Sequence, residues 1–250
     1  MASLIDKGIF MLQELMKNIS EADMVLIAVG KETETLDLSG QDMFEKSAEF
    51  YRESFAELLQ DIPEQTTSQQ TKAFSKLDFY NRIEKLVKGK DYFVADLSVD
   101  GIIYKSELNR LRIVTPCGNF MKLQCACSDK LEDAAPYYEK DVCPVCDICH
   151  QKMVPNVYKT DGYNEEGYLK QWNLYNIWLQ RSLSKKLFVL ELGMDFSVPT
   201  VLRWPLERVV FISNTAKMYR VSEKYSQFPP EIANKVTSIP MNSMDYIGEL

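Results

Sequence analysis

Histidine is nearly absent from this 250-residue chain, in which His150 is the single one. A catalytic site of the Ser-His-Asp or Cys-His type must therefore include His150 or be absent. Basic residues are also in deficit, with 29 Lys and Arg against 36 Asp and Glu, for a formal net charge of -7. This deficit argues against a broad nucleic-acid surface and against docking on an anionic membrane, because both need clustered cations.

Long hydrophobic runs are missing too. No segment contains the roughly 18 consecutive apolar residues of a membrane span. Asp6, Lys7, Glu14 and Lys17 interrupt the first twenty residues, which excludes the apolar core of a signal peptide. The apolar positions there follow helical spacing, so we expect a helix over residues 3–20 of a mature cytoplasmic protein.

Short apolar runs alternate with amphipathic segments along the rest of the chain. The apolar runs predict buried strands at 24–30, 92–95, 112–115, 187–193, 209–212 and 218–221. The periodic segments predict helices at 40–60, 72–88 and 164–183, with a polar loop at 61–71. This alternation indicates an α/β fold with a parallel sheet covered on both faces.

Five of the six cysteines are clustered between Cys125 and Cys149. Cys143 and Cys146 have the C-x-x-C spacing, and so do Cys146 and Cys149, so the two pairs share one residue. Cys125 and Cys127 are one residue closer together. In an intracellular protein such closely spaced pairs indicate a metal site before they indicate disulfides.

Four thiolates in two turns form the ligand set of a structural zinc ion. Cys143 remains the alternative ligand if the tight C-x-C turn cannot direct both sulfurs to the metal, and His150 is expected as a solvated neighbour. A four-sulfur zinc has no open coordination position, so its expected role is to stabilise a small insert. The favoured ligands are Cys125, Cys127, Cys146 and Cys149.

The order of these motifs resembles that of the sirtuin family, which comprises NAD-dependent protein deacylases and ADP-ribosyltransferases. The resemblance covers most of the chain, and it is strongest where Cys146-x-x-Cys149 is followed by Met153-Val154-Pro155-Asn156-Val157, as in the second half of the sirtuin zinc ribbon. The segment Ile113-Val114-Thr115-Pro116-Cys117-Gly118 is also similar to a bacterial group of sirtuin-like proteins. The resemblance implies a Rossmann-like domain (1–36, 89–118 and 158–250), a helical insert (37–88) and a zinc-binding module (119–157).

The sirtuin phosphate loop is rebuilt in this sequence. Sirtuins open with Gly-Ala-Gly, whereas this chain has Ala28-Val29-Gly30. A β-carbon at Ala28 obstructs the close approach of phosphate to the backbone. Glu32 follows near a helix start, where its carboxylate could mimic the phosphate and occupy the site itself. The sirtuin Gly-Thr-Ser motif corresponds to Gly193-Met194-Asp195, which removes two hydroxyl groups.

The motifs that implement sirtuin chemistry are altered as well. Ser98-x-Asp100 stands where sirtuins have Asn-x-Asp beside the nicotinamide and ribose, and Cys117-Gly118 replaces the catalytic His-Gly pair. A thiol, with an unperturbed pKa of about 8.5, is a poor substitute for that base. Cys117 could instead be a small buried residue, and Asp100 could cap the following helix. Asn214 lies one residue out of register with a ribose-contacting Asn.

Two functions remain open from the sequence. In the first, the protein binds NAD or an ADP-ribose derivative and modifies a protein substrate as a deacylase or ADP-ribosyltransferase of weak or altered activity. Asp100 would then orient the ribose, with Ser98 beside it, and Cys117 would replace the base. The ligand would be held by Ala28, Gly30, Glu32, Gly193 and Asn214. In the second, the chain is a catalytically inactive, zinc-stabilised scaffold that binds a protein partner.

Overall fold

The computed structural model describes residues 4–34, 36–40, 42–55 and 74–250, with side chains from residue 12 onward. The end of the predicted 40–60 helix, the loop at 61–71 and the beginning of the 72–88 helix lie outside these residues. The helices are α1 (Leu4–Glu21), α2 (Met43–Ser54), α3 (Lys76–Val87), α4 (Ala135–Lys140), α5 (Glu166–Ser182), α6 (Arg203–Ile212) and α7 (Ser243–Gly248). The strands are β1 (Met24–Val29), β2 (Asp91–Asp96), β3 (Ile113–Val114), β4 (Gly118–Cys125), β5 (Ser128–Asp133), β6 (Val154–Val157), β7 (Leu187–Leu192), β8 (Lys217–Val221) and β9 (Val236–Ile239).

Six of the strands form a parallel sheet in the order β3-β2-β1-β7-β8-β9. The chain builds outward from β1 in one direction through β2 and β3, and then in the other direction through β7, β8 and β9. The strand order therefore reverses beside β1, and ligands of open α/β sheets bind at the carboxyl ends of the strands at such a point. Val29 of β1 lies opposite both Asp96 and Leu192, so three strands end at one level.

The side chains of β1 alternate between two cores, as the period of a strand requires. Val25, Ile27 and Val29 pack with α1, α3 and α7 on one face. Met24, Leu26 and Ala28 pack on the opposite face with α5 and α6. Both faces are covered, which confirms the α/β class and explains why β1 is apolar at every position. Helix α3, predicted within the helical insert, packs on the parallel sheet.

A second, antiparallel sheet has the order β5-β4-β6 and carries the cysteine turns. Its core is shared with α2 and α4 through an aromatic cluster. Phe120 of β4 lies 5.5 Å from Phe55, 5.5 Å from Phe50 and 5.6 Å from Tyr138 between ring centroids. Helix α2, also predicted within the helical insert, therefore packs directly on the small sheet.

One predicted strand is wrong. Residues 209–212 form the last turn of α6, and the next strand of the sheet is β8. The prediction rested on a β-branched apolar run, which is typical of a buried strand. In the structure Val210 is fully buried, whereas Phe211 and Ile212 are exposed. Burial on one side only is typical of a surface helix. Among the described helices, none is long and apolar enough to cross a membrane.

Candidate metal centre and sheet-edge site

The four favoured cysteines converge at the end of the small sheet. Cys125 Sγ lies 3.3 Å from the sulfurs of Cys127 and Cys149, and Cys127 Sγ lies 3.5 Å from that of Cys146. All four sulfurs lie within 4.8 Å of one another. Zinc–sulfur bonds of about 2.3 Å place the corners of a tetrahedron roughly 3.8 Å apart, so the four donors fit one zinc ion.

The alternative ligands lie outside this group. The Cys143 thiol is directed to the carbonyl oxygen of Met153, 3.4 Å away, and His150 is an exposed residue with a φ of 57°. Backbone N–H groups of Cys149 and Ile148 lower the pKa of Cys146 to about 6, which favours the thiolate that a metal requires. The structure thus brings together the set with Cys127 rather than the set with Cys143.

At the reversal point of the parallel sheet, the loops after β1 and β7 are in direct contact. The Gly30 N–H donates to the carbonyl oxygen of Leu192 at 2.7 Å. A β-carbon on Gly30 would lie 2.2 Å from the carbonyl oxygen of Gly193. Gly30 is therefore required by the packing of the two loops. Ala28, two residues earlier, is fully buried inside β1 and faces the core rather than a ligand.

Glu32 occupies the centre of this edge. Its carboxylate accepts hydrogen bonds from the backbone N–H groups of Glu223, after β8, and Ser243, at the start of α7, both at 2.9 Å. The same side chain packs on Gly193, where an added β-carbon would lie 2.6 Å from Glu32 Cβ. Two converging amides at the carboxyl ends of parallel strands are donors suited to an anion. In this protein the anion is a side chain of the chain itself.

Ser98 and Asp100 are both buried after β2, and they contact a cation that the sequence did not reveal. Lys76 Nζ, from the first turn of α3, lies 2.5 Å from Asp100 Oδ2 and 3.0 Å from Ser98 Oγ. Asp100 also accepts from the Ile102 N–H at 3.2 Å, although the N-cap residue of the following turn is Gly101. Ser98 Oγ in turn donates to Asp96 at 2.7 Å. Both residues are engaged by the protein.

The loop after β1 also lines a small cavity of about 210 Å³ with Val99 and Tyr158. The Lys31 ammonium lies 4.1 Å from the centroid of the Tyr158 ring and 3.9 Å from Glu34 Oε2. The Val99 N–H donates to Glu34 at 3.1 Å. Burial, assisted by the negative charge of Asp100, raises the pKa of Glu34 to about 7, against the opposing effect of the nearby lysines.

Cys117 is 1% exposed, and its backbone carbonyl accepts from the Tyr158 N–H. Burial raises the pKa of its thiol to about 12, although Lys31 acts in the opposite direction. The thiol is therefore protonated at neutral pH, which does not favour its predicted use as a base or nucleophile. In this conformation Cys117 has the environment of a small core residue.

Asn214 lies away from all of these groups. It precedes β8 and lines a surface pocket with Lys186 and Lys217, at the amino ends of the strands. The residues at the ligand-binding end of β8 are Ser222 and Glu223, next to Glu32. The prediction placed Asn214 just after a strand over residues 209–212, whereas those residues form the last turn of α6 and Asn214 precedes β8.

Sequence reasoning missed Lys31, Glu34 and Lys76 at this edge. Lys31 and Glu34 flank Glu32 in the loop after β1. Their nearness to Gly30 in the sequence could have identified them as residues of the site. Lys76 had no such signal, since it is one of several charged residues in an amphipathic helix. Only the packing of α3 on the sheet directs its ammonium group between Ser98 and Asp100.

Curated relatives of the chain are named for ADP-ribose chemistry. It is 29% identical to the probable bifunctional ADP-ribose hydrolase/ADP-ribosyltransferase of Fusarium oxysporum f. sp. cubense over 53% of this chain, and it spans only 26% of that protein. It is 21% identical to the protein ADP-ribosyltransferase of Staphylococcus aureus, a match that covers 94% of this chain and 85% of the relative. No family model matches the chain.

Solved structures with the same fold are sirtuins. A Sir2 homolog in complex with NAD superposes with a TM-score of 0.58 at 11% identity, covering 95% of this chain and 91% of that one. Sir2Tm bound to a propionylated peptide gives a TM-score of 0.57 at 15% identity and covers 95% of each chain. These matches show that the chain has the sirtuin fold, which the order of the motifs predicted.

Proposed function

We propose that this sirtuin-like chain is a zinc-stabilised scaffold that fills its own nucleotide site and binds a protein partner without turning over NAD. The observation that carries the proposal is the Glu32 carboxylate, which accepts the two backbone N–H groups at the reversal point of the sheet. A pyrophosphate placed there would compete with a carboxylate of like charge that is already fully hydrogen-bonded.

The residues present do not fit NAD in this conformation. The cavity beside Glu34 and Tyr158 has a volume of about 210 Å³, whereas sites for small-molecule cofactors occupy roughly 300–1,000 Å³. Lys76 places a positive charge beside Asp100, the residue expected to orient a ribose. The proposed function therefore includes no catalytic step that uses NAD.

Zinc, in contrast, fits the residues present. Cys125, Cys127, Cys146 and Cys149 would hold the ion, and four sulfur ligands fill its tetrahedral coordination. Bound zinc would cross-link β4 to the cysteine turn before β6. Its four coordination positions would all be taken by sulfur, so it could not bind a substrate. Its expected contribution is to the folding of the small sheet.

Thermal melting with NAD and with ADP-ribose at millimolar concentration tests the closed site. A ligand present at 100 times its Kd stabilises a protein by about 2.7 kcal/mol, which raises the melting temperature by several degrees. We expect no shift for the natural chain. Glu32→Gly, which frees both amides, should allow a shift with ADP-ribose. A shift of several degrees in the natural chain at low millimolar NAD, larger than the shift given by AMP at the same concentration, would refute the proposal.

A second candidate function is the binding of NAD or ADP-ribose with group transfer to a protein. The specific observation in its favour is Glu34, a carboxyl with a pKa of about 7 that lines the cavity beside Cys117 and could act as acid or base at neutral pH. The names of both relatives point in the same direction. Nicotinamide release from NAD, abolished by Glu34→Gln, would favour this function.

The cytoplasmic location remains a prediction of the sequence.

A further inference from the structure

A second cavity, which we term the lateral cavity, lies beside the edge strand β3. It has a volume of about 650 Å³ and is bounded by the segment between β2 and β3, by β4 and by the first turn of α5. It shares no lining residue with the cavity at Glu34 and Tyr158. Its volume lies within the range of sites that enclose small organic ligands. Its lining includes Phe55, Tyr104, Lys105, Arg110, Lys122 and Tyr168.

The lining of the lateral cavity is basic in a chain whose net charge is -7. The lining contains three cations, Lys105, Arg110 and Lys122, and one carboxylate, Asp133, which lies 2.5 Å from Lys122 Nζ. Within the described part of the chain, neither Lys105 nor Arg110 forms an ion pair. Two positive charges of the cavity are therefore available for an anion.

The other cavity groups are aromatic rings and a short chain of polar atoms. Phe55 lies under the Lys105 ammonium, 5.0 Å from the ring centroid, and Tyr168 stacks on Tyr163 with centroids 6.1 Å apart. Thr115 Oγ1 lies 3.1 Å from the Tyr104 hydroxyl and accepts from the Asn119 amide at 3.3 Å. Rigid aromatic walls with a few oriented polar groups are typical of sites for ring-containing ligands.

We propose that the lateral cavity binds a nucleoside monophosphate, with its phosphate at Lys105 and Arg110 and its base against the ring of Tyr168. The two available cations match the charge of one phosphate, and a neutral nucleoside leaves both of them without a partner. The volume accommodates a base, a sugar and a phosphate together. The site is independent of the closed sheet-edge site.

Isothermal titration calorimetry with AMP, GMP, CMP and UMP tests the proposal on the zinc-loaded chain of 250 residues. At least one nucleotide should bind, and its nucleoside and inorganic phosphate alone should each bind at least 10-fold more weakly. Affinity should fall as the salt concentration rises, because the contact is ionic. Absence of binding by all four nucleotides would overturn the proposal.

Charge reversals locate the binding. Lys105→Glu and Arg110→Glu should each weaken binding by 10-fold or more, whereas Lys88→Glu, the same change at the exposed end of α3, should leave it unchanged. Lys105→Met is a milder variant for use if Lys105→Glu melts at a lower temperature than the natural chain. Equal affinity in all of these variants, or loss of binding in Glu32→Gly alone, would place the nucleotide elsewhere and refute the lateral site.

Discussion

Among single residues at the sheet edge, two charged side chains bond to other groups of the same chain. Glu32 supplies a negative charge to two backbone amides, and Lys76 supplies a positive charge to Asp100. A buried charge is tolerated only when it is paired and hydrogen-bonded. Removing either charge should therefore leave its partners unsatisfied.

The pH dependence of stability should report on Glu34. Its pKa is about 7 in the folded protein and 4.5 in the unfolded reference. Since the folded pKa is raised, its contribution to stability is complete below pH 4.5 and is lost as the pH rises to about 7. Melting temperatures measured between pH 4.5 and 7 should fall less in Glu34→Gln than in the natural chain. Parallel profiles would contradict the assignment.

The buried pair of Lys76 and Asp100 gives a second prediction. Lys76→Met leaves a fully buried carboxylate without this cation, and we expect the free energy of unfolding to fall by about 3–5 kcal/mol. The double variant Lys76→Met/Asp100→Asn removes both charges and should recover part of that loss. Urea denaturation measures both. Lys88→Met, an exposed control on the same helix, should remain within about 0.5 kcal/mol of the natural chain.

Among the elements, β5 is the part of the small sheet with the least packing of its own. Its side chains are partly or fully exposed at every position, whereas β4 and β6 bury apolar residues. Apparent zinc-binding energies of structural sites are about 10–16 kcal/mol. A zinc ion at the four cysteines would therefore contribute most to the stability of β5 and the cysteine turns.

Metal analysis distinguishes the two ligand sets. We expect one zinc ion per chain in the natural protein and in Cys143→Ser, and substantially less than one in Cys149→Ser. The reason is that Cys149 is among the four converging sulfurs, whereas the Cys143 thiol is directed to the Met153 carbonyl. Elemental mass spectrometry of purified protein gives the ratio. Loss of zinc from Cys143→Ser would show that the other pair binds the metal.

At the scale of the whole molecule, the aromatic cluster around Phe120 joins α2 to the small sheet. Phe120→Ala deletes a fully buried ring that contacts three others, so we expect a loss of about 3–5 kcal/mol in the free energy of unfolding. Phe211→Ala, which removes an exposed ring on α6, is the matched control. Guanidinium denaturation followed by tryptophan fluorescence compares them. Equal stability of the two variants would refute a structural role for the cluster.

Elements with a local signal were predictable from the sequence. The strand at β1 and the helix at α5 follow from the apolar period, and the cysteine spacing predicts a four-thiolate metal site with Cys143 as an open alternative. The structure chooses among the candidates by bringing Cys125, Cys127, Cys146 and Cys149 together. The sequence also predicted that the Glu32 carboxylate could take the place of a phosphate, because Glu32 lies two residues after Gly30.

The contacts between side chains at the sheet edge depend on tertiary packing and could not be predicted from local sequence. Lys76 reaches Asp100 across 24 positions of sequence, and Asn214 falls at the opposite end of β8 because residues 209–212 are helical. Such placements depend on how whole helices pack on a sheet, where burial at one face outweighs the β-propensity of a short run. The occupied anion position and the lateral cavity are products of that packing.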